Sequence, residues 1–346
     1  MTKGNNGRII WQLPLLILLI IGSVIIIKQK HDAPYRKITG FVFGTIYNIT
    51  YQSEEDLRAD IEAELKKVDM SLSTFNIKST ISKINNNASN GTDPMFVEVF
   101  NIARKVSEDT DGAFDITVAP IVNAWGFGFK NNLPPTPHVI DSLKTFVGYR
   151  NVVLNKHSGG QVVIKKHKET MLDCGAIAKG YGSDIVARLL KRKGIENYMI
   201  EIGGEIVCAG KNPSCNNWRI GITRPDDDSL STNSSTIANV ELSGKGMATS
   251  GNYRNYYVKD GRKYAHTIDP KTGYPVQHSL LSATVIANNC ATADAYATAF
   301  MVMGIEEAKK ILARHDDLAA CLIYTDKNGH YSIWHSESLE KHIVER

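Results

Sequence analysis

The sequence predicts an α+β fold: one domain with a mixed, largely antiparallel sheet and packed helices, preceded by one N-terminal transmembrane helix. Short segments rich in β-branched and aromatic residues follow one another at hairpin spacing, separated by glycine and proline turns. Amphipathic segments with apolar residues three and four apart form separate groups and do not alternate with each strand. This separation favours α+β over a doubly wound parallel sheet.

The first half of the chain contains one predicted strand and two predicted helices. Phe41–Gln52 is rich in aromatic and β-branched residues, which is typical of a strand. Glu54–Met70 has the spacing of an amphipathic helix, and a second helix over Phe96–Thr110 ends at Asp111-Gly112. The apolar face of the first helix comprises Leu57, Ile61, Leu65 and Val68.

The second half contains three predicted helices and a series of short strands. Lys179–Lys193 has a helical pattern that ends at Gly194. Two more helices are expected over Thr292–Met303 and Ile305–Arg314, separated by Gly304 as a C-cap. The strands lie at Tyr198–Ile202, Glu205–Ala209, Trp218–Thr223, Ile237–Leu242 and Leu281–Ile286.

The N-terminal 37 residues are expected to form a membrane anchor, followed by one continuous globular unit over residues 38–346. Residues 9–27 carry no charge and match the roughly 20 residues that a helix needs to cross a bilayer. A cleaved signal peptide is the alternative, but no A-x-A-like site follows the apolar run. The basic residues on either side lean slightly toward a cytoplasmic C-terminus and leave the orientation open.

Composition excludes several classes of protein. The 40 Lys and Arg residues nearly balance 36 Asp and Glu residues, and the net charge of +4 argues against a nucleic-acid partner. The five cysteines form no CxxC pair and have no histidine at metal-ligand spacing, which makes a zinc site improbable. Cys208 and Cys215 flank a turn and are either a small-loop disulfide or two free thiols.

Glycine, acidic and hydroxyl residues concentrate in five places, a composition that suits a phosphate or metal ligand. These are residues 112–115, 173–184, 201–205, 248–254 with 266–275, and 291–298. None of them matches a Walker A loop, and Gly180-Tyr181-Gly182 lacks the third glycine of a dinucleotide fingerprint.

Asp294 and Thr298 are four residues apart on a predicted helix, so their side chains share one face. A carboxylate and a hydroxyl presented together can hold Mg²⁺, which keeps waters that a phosphate can replace. The alternative is an Asp favoured by the helix dipole and a Thr bonded back to its own helix.

The remaining polar candidates have equally plain structural alternatives. His266 is a possible general base or a structural histidine. Lys179 and Asp184 fit solvated charges on a helix face as well as a site. Trp125 and Phe127 are expected to be core aromatic residues at a chain reversal.

Taken together, these blocks resemble the bacterial FAD:protein FMN transferase (ApbE) family over about residues 41–305. The motifs that carry the resemblance occur in order along the chain. They are FGTIYNI at 43–49, LSTFNIKSTISKIN at 72–85, GAFDITVAPIVNAWGFG at 112–128, LDCGAIAKGYGSDIV at 172–186, YMIEIGGEI at 198–206, ATSGNYRNYY at 248–257, YAHTIDPKTGYPV at 264–276 and ATADAYATAF at 291–300.

The resemblance implies Mg²⁺-dependent transfer of the FMN half of FAD to a threonine hydroxyl of a target flavoprotein, with a phosphoester product and release of AMP. Asp294, Thr298 and the backbone carbonyl of Ala176 match the metal site of the family. His266 matches the histidine proposed as the base for the hydroxyl. Cys174 departs from the usual leucine-like residue in a buried position, which is a conservative change.

The resemblance also implies an FAD site. Phe75 is expected to stack on a flavin or adenine ring, and its loop to contribute backbone groups. Ser250, Gly251 and Arg254 are expected near the phosphates. The other nucleotide-binding positions are Phe43, Thr74, Asn76, Ile77, Lys78, Ser79, Asp115, Lys179 and Ile268.

Family members act on extracytoplasmic flavoproteins, subunits of membrane redox pumps or electron-transfer chains. The resemblance therefore implies a single-pass protein of the bacterial inner membrane with its catalytic domain outside. This orientation is opposite to the one that the basic residues beside the anchor slightly favour. Two alternatives share the same residues: a Mg²⁺-dependent FAD pyrophosphatase that gives FMN and AMP, and a flavin-binding protein without catalysis. The presence of Asp294, Thr298 and His266 together argues against a flavin-binding protein without catalysis.

Overall fold

The computed structural model describes residues 14, 16–24, 33–127, 134–157, 159–223, 236–251, 256–259, 262–265 and 267–344. Its helices are α1 Arg58–Leu72, α2 Thr80–Asn85, α3 Pro94–Asp109, α4 Ala119–Ala124, α5 Pro137–Lys144, α6 Ala178–Arg192, α7 Cys290–Leu312 and α8 Glu337–Glu340. Its strands are β1 Tyr35–Val42, β2 Thr45–Gln52, β3 Val152–His157, β4 Gly160–Lys165, β5 Tyr198–Ile202, β6 Glu205–Ala209, β7 Trp218–Thr223, β8 Thr236–Leu242, β9 Lys245–Gly251, β10 Tyr256–Lys259, β11 Arg262–Ala265, β12 Leu280–Ala287, β13 Ala319–Thr325, β14 Tyr331–His335 and β15 Ile343–Val344.

An eight-stranded sheet with the order β1-β2-β5-β6-β9-β12-β13-β14 forms the centre of the α+β fold. Side chains alternate between its two faces along each strand. Ala248 of β9 packs with α3 and α7, whereas the neighbouring Met247 packs with the three-stranded sheet β15-β8-β7. Helices therefore cover one face, and the small sheet covers the other.

Every strand pair within the described residues is antiparallel. The expectation of a mixed sheet is therefore wrong for this part of the chain. Short connections explain the pattern, because the two-residue turn between β5 and β6 can join only antiparallel strands.

The segment predicted as one strand over Phe41–Gln52 is instead the end of the first strand, the turn and the second strand of a hairpin. Phe43 and Gly44 both have positive φ, 51° and 75°, and connect β1 to β2. A two-residue turn of this hand matches the twist of the flanking strands. The prediction failed because Phe-Gly is not a recognised turn signal, although the glycine supplies one of the two left-handed positions.

The other predicted elements lie within a few residues of their expected bounds. Helix α1 begins later than expected because Asp56 accepts the Arg58 amide in a turn that precedes the helix. Asp93 caps α3 by accepting the amides of Met95 and Phe96. Gly304 interrupts α7 with φ 77°, as its C-cap role predicted.

The N-terminal turns of α6 and α7 cross at very short range. A Cβ atom on Gly180 would lie 2.4 Å from the carbonyl oxygen of Cys290, so only glycine fits. Each helix also supplies a carboxylate to the other. Asp184 of α6 accepts the amides of Cys290 and Ala291, and Asp294 of α7 accepts the Gly180 amide at 3.1 Å. The amides at the start of a helix lack partners within it and favour negative charge.

This crossing excludes one of the interpretations that the sequence left open for Asp184. Its side chain is not a solvated charge, because the residue is only 7% exposed and both carboxylate oxygens accept amide hydrogens. Burial raises the pKa of Asp184 to about 6, although the two backbone hydrogen bonds oppose the shift. Trp125, in contrast, is buried as predicted and donates to the Gly273 carbonyl at 2.8 Å.

Two further expectations concern cysteines and the N-terminus. Cys208 is a buried thiol and Cys215 an exposed one, and both are free.

No helix among the described residues has the length and apolar composition required to cross a membrane. Most of the predicted anchor lies outside the described residues, apart from a helical stretch over 16–24 with exposed apolar side chains such as Leu18 and Leu19.

Gly180→Ala is expected to destabilise the fold by about 1–3 kcal/mol, because the new methyl group overlaps backbone atoms of α7. In an ordinary helix the same change stabilises by about 1 kcal/mol. The measurement is the free energy of unfolding in urea. Gly91→Ala is the control, since the nearest atom to its Cβ is Ser89 Oγ at 3.5 Å. A Gly180→Ala protein as stable as wild type would show that the helices are not in contact here.

Candidate functional site

A cavity of about 500 Å³ lies where α6, α7 and the end of β9 meet two connecting segments. One segment contains residues 113–118 and the other residues 267–270. Eight of the residues singled out from the sequence line this cavity. They are Asp115, Ala176, Lys179, Ser250, Gly251, Ile268, Asp294 and Thr298.

The α7 wall presents Asp294 and Thr298 together, as their spacing predicted. Thr298 Oγ1 lies 3.2 Å from Ser250 Oγ on β9, so these hydroxyls pair across the cavity wall. Asp294 accepts from the N-terminal turn of α6, not from its own helix. The alternative was that Asp294 and Thr298 interact only with their own helix. The contacts with α6 and β9 exclude it.

Lys179 provides a positive charge at the start of α6. Its ammonium donates to Glu205 Oε1 at 2.5 Å, and its side chain is 30% exposed. Burial lowers the pKa of Lys179, but the nearby carboxylates of Asp294 and Glu205 outweigh burial and leave the pKa above its usual value. Lys179 is therefore a fixed cation and not the solvated charge that the sequence left open.

Glu205 lines the cavity next to Lys179. Burial and the neighbouring Asp294 carboxylate raise its pKa, although the Lys179 ammonium opposes the shift. Glu205 Oε2 is buried and has no hydrogen-bond partner in the described structure. The EIGGE block at 201–205 marks this region in the sequence but does not by itself indicate a role for the glutamate.

Two aspartates from separate loops complete the acidic lining. Asp115 accepts from Thr117 through one oxygen and from the Tyr149 amide through the other. Asp173, which sequence reasoning missed, accepts the Gly175 amide at 2.8 Å. Burial raises the pKa of both carboxyl groups. The signal for Asp173 was its place directly before Cys174 in the LDCGAIAKG motif.

Cavity charge is strongly unbalanced in the described part of the chain. Its lining contains four carboxyl groups and one ammonium group, which are Asp115, Asp173, Glu205, Asp294 and Lys179. Burial raises the pKa of Asp294, and Lys179 and the Gly180 amide partly offset this increase. When these carboxyl groups are ionised, an anionic ligand needs additional positive charge to enter such a site.

A smaller pocket of about 120 Å³ adjoins the cavity and shares Asp173, Gly175 and Lys179 with it. Phe43, Thr74 and Phe75 line this pocket. Phe75 is 78% exposed, so its ring presents an open apolar surface. The two pockets together form one groove with an aromatic end and a charged end.

The rest of the predicted 74–79 loop lines neither of these two pockets. Asn76 donates to Asp69, and Ser79 accepts the Ser82 amide as the N-cap of α2. Ile77 and Lys78 are exposed. The side chains of Asn76 and Ser79 therefore stabilise the loop, and none of the four lines the groove.

Arg254 and His266 lie outside the described residues. Both remain predictions. Among the described residues near them in the sequence, Gly251 and Thr267 line the cavity. No group of three or more His, Cys, Asp or Glu side chains suited to a metal ion occurs in the described ranges.

A second cavity of about 520 Å³ lies on the other side of α6. Arg188, Lys191 and Lys245 are among its lining residues, with Asp184 and Asn289. None of the residues that the sequence predicts for metal, flavin or catalysis lies there. Size therefore does not distinguish the two cavities, whereas the convergence of predicted residues favours the cavity that contains Asp294.

Comparison with known families and proteins gives a consistent result. A sequence model described as the ApbE family matches residues 43–322. Two curated relatives are named FAD:protein FMN transferase. The protein from Haemophilus influenzae is 36% identical over 306 residues, 84% of this chain and 87% of its own, and the Escherichia coli K12 protein is 32% identical over 326 residues, 91% of each chain.

Solved structures agree in fold. The flavin transferase ApbE from Vibrio cholerae superposes with a TM-score of 0.80 and 32% sequence identity, over 90% of this chain and 99% of that one. The ApbE protein from Thermotoga maritima gives a TM-score of 0.78 at 28% identity, over 90% of this chain and all of that one.

Proposed function

The chain belongs to the ApbE family, and from this premise we propose that it is an FAD:protein FMN transferase. The reaction moves the FMN half of FAD to a threonine hydroxyl of a target flavoprotein and releases AMP. The observation that carries the proposal is the convergence of five separate sequence blocks on one cavity. The curated relatives with this name match nearly the whole chain, which supports the same conclusion.

The groove offers complementary surfaces to the two kinds of group in FAD. Phe43 and Phe75 at the aromatic end suit a flavin or adenine ring. Lys179 at the charged end binds a phosphate, together with the hydroxyl of Ser250 and the backbone of Gly251. Asp115 holds its loop in place, Ile268 adds an apolar contact, and Arg254 is proposed at the phosphates.

A divalent cation fits the charge of the cavity. Asp294, Thr298 and the Ala176 carbonyl would hold Mg²⁺ through three hard oxygen atoms, which leaves positions for water and phosphate. The excess of buried carboxyl groups over ammonium groups in the described lining supports this assignment. When bound, Mg²⁺ neutralises charge on the pyrophosphate and on the AMP leaving group.

The remaining work of the reaction is positioning and proton transfer. The threonine oxygen forms a bond to the phosphorus of the FMN half, while the bond from that phosphorus to the oxygen of AMP breaks. His266 is proposed to accept the hydroxyl proton. Lys179 fixes the phosphate so that attack occurs in line, because its own position is fixed by Glu205.

We also propose that residues 1–37 anchor the protein in the bacterial inner membrane, with the catalytic domain on the extracytoplasmic side. The uncharged run over residues 9–27 supports an anchor. The apolar side chains of residues 16–24 are mostly exposed and so are not part of the core of the domain. The location of target flavoproteins in this family supports the orientation.

The direct test incubates the purified protein with FAD, Mg²⁺ and a threonine-bearing domain of an extracytoplasmic flavoprotein. Mass spectrometry is expected to show the acceptor heavier by one FMN, with AMP released in equal amount. The control is the same acceptor with its threonine replaced by alanine. FMN and AMP without a labelled acceptor would favour a pyrophosphatase, and no product at all would leave only a flavin-binding protein.

Asp294→Ala is expected to abolish Mg²⁺-dependent turnover and to weaken FAD binding without eliminating it, because Phe43, Phe75 and Lys179 remain. AMP release and FAD affinity are measured in parallel. Glu306→Ala on the same helix is the control, since its side chain is 77% exposed and pairs with Lys309. Unchanged turnover in Asp294→Ala would contradict the metal assignment.

A further inference from the structure

Glu205 has only an indirect role in the proposed function, through its contact with Lys179. The residue is 2% exposed, and Oε1 accepts from Lys179. Its Oε2 is the one buried side-chain nitrogen or oxygen atom of the described residues that has no hydrogen-bond partner. Leaving a buried acceptor unpaired is costly, and more so for a charged group. An unpaired oxygen in the wall of a ligand cavity therefore indicates a donor on the ligand.

The chain fixes this carboxylate at the cavity wall. Gly203 and Gly204 both have positive φ and form the two-residue turn that pairs Ile202 with Glu205. Ser183 Oγ of α6 donates to the Glu205 carbonyl at 3.0 Å. A Cβ atom on Gly203 would lie 2.7 Å from Thr45 and 3.3 Å from Lys179, so the turn packs closely on its neighbours. The backbone that carries Glu205 is therefore held from both sides.

The chemistry of the missing partner follows from the charge of the acceptor. An ionised carboxylate can only accept hydrogen bonds, so in that form Oε2 has no partner in a phosphate oxygen, which also accepts and carries negative charge. A sugar hydroxyl is a suitable donor, and carboxylates bind ribose hydroxyls in this way in dinucleotide sites. In FAD, sugar hydroxyls lie next to the pyrophosphate on both sides. Because Lys179 and Glu205 are in contact, one can bind a phosphate while the other binds a neighbouring hydroxyl.

We propose that Glu205 Oε2 accepts a hydrogen bond from a sugar hydroxyl of bound FAD, on the ribityl chain or on the adenosine ribose. This assignment rests on the proposed function and deepens it, because it makes Glu205 a specificity-determining residue for the polyol part of the substrate. Lys179 alone would bind any phosphate, whereas the pair selects a phosphate with an adjacent hydroxyl.

The test measures binding of FMN and of ADP by calorimetry in the presence of Mg²⁺, for wild type and Glu205→Ala. FMN carries the ribityl chain, and ADP carries the ribose. We expect Glu205→Ala to weaken binding of one of these ligands by about 10-fold or more and to change the other by less than about 2-fold. The affected ligand identifies which sugar supplies the hydroxyl.

Two further variants separate substrate contact from structural effects. Glu201→Ala removes a glutamate from the neighbouring strand that does not line the cavity, and it is expected to bind both ligands as wild type does. Glu205→Gln keeps the volume of the side chain and an acceptor for Lys179 but replaces the free oxygen with an amide nitrogen. Glu205→Gln is expected to weaken binding of the same ligand that Glu205→Ala affects, but to a smaller extent.

Three outcomes would overturn the assignment. Equal loss for FMN and ADP would mean that Glu205 acts through Lys179 on the phosphates common to both. Unchanged binding of both would mean that no substrate hydroxyl reaches Glu205. Weaker Mn²⁺ binding by Glu205→Ala, measured by electron paramagnetic resonance without nucleotide, would assign the free oxygen to the metal. Failure of wild type to bind either ligand would instead contradict the proposed function itself.

Discussion

The close contact between the N-terminal turns of α6 and α7 determines where the functional groups of this protein lie. Gly180 permits the contact because it has no side chain, and Asp184 and Asp294 each accept amide hydrogens from the opposite helix. Neither carboxylate could be buried without those donors. The exchange therefore fixes the relative position of two helices and leaves Asp294 and Lys179 at the same cavity.

Burial gives this cavity its chemical character. Its described lining has four carboxyl groups and one ammonium group, and when the carboxyl groups are ionised an anionic dinucleotide enters favourably only with an accompanying cation. Lys179 stays charged because two carboxylates surround it, and Glu205 stays at the wall because a tight glycine turn fixes its backbone. The excess of acid supports a divalent ion, and the unpaired Glu205 oxygen supports a neutral donor on the substrate.

Much of the site could be predicted from the sequence because its residues lie in compact motifs. The i,i+4 spacing placed Asp294 and Thr298 on one face of α7, and the structure confirms that they share a cavity. The role of Asp184 stayed open because its partners are amides 106 and 107 residues away along the chain. Periodicity carries no information about such distant pairing. The hairpin at Phe43-Gly44 was missed for a local reason, since only one of its two left-handed residues is glycine.

The central claim is that FAD binds in the cavity between α6 and α7 and that the metal lies at Asp294. A crystal structure with ADP and Mn²⁺, in which anomalous scattering locates the metal, tests both parts at once. The account predicts a Mn²⁺ peak within coordinating distance of Asp294 and Thr298, with a phosphate beside Lys179. Nucleotide in the other cavity, beside Arg188 and Lys191, or Mn²⁺ away from Asp294, would contradict it.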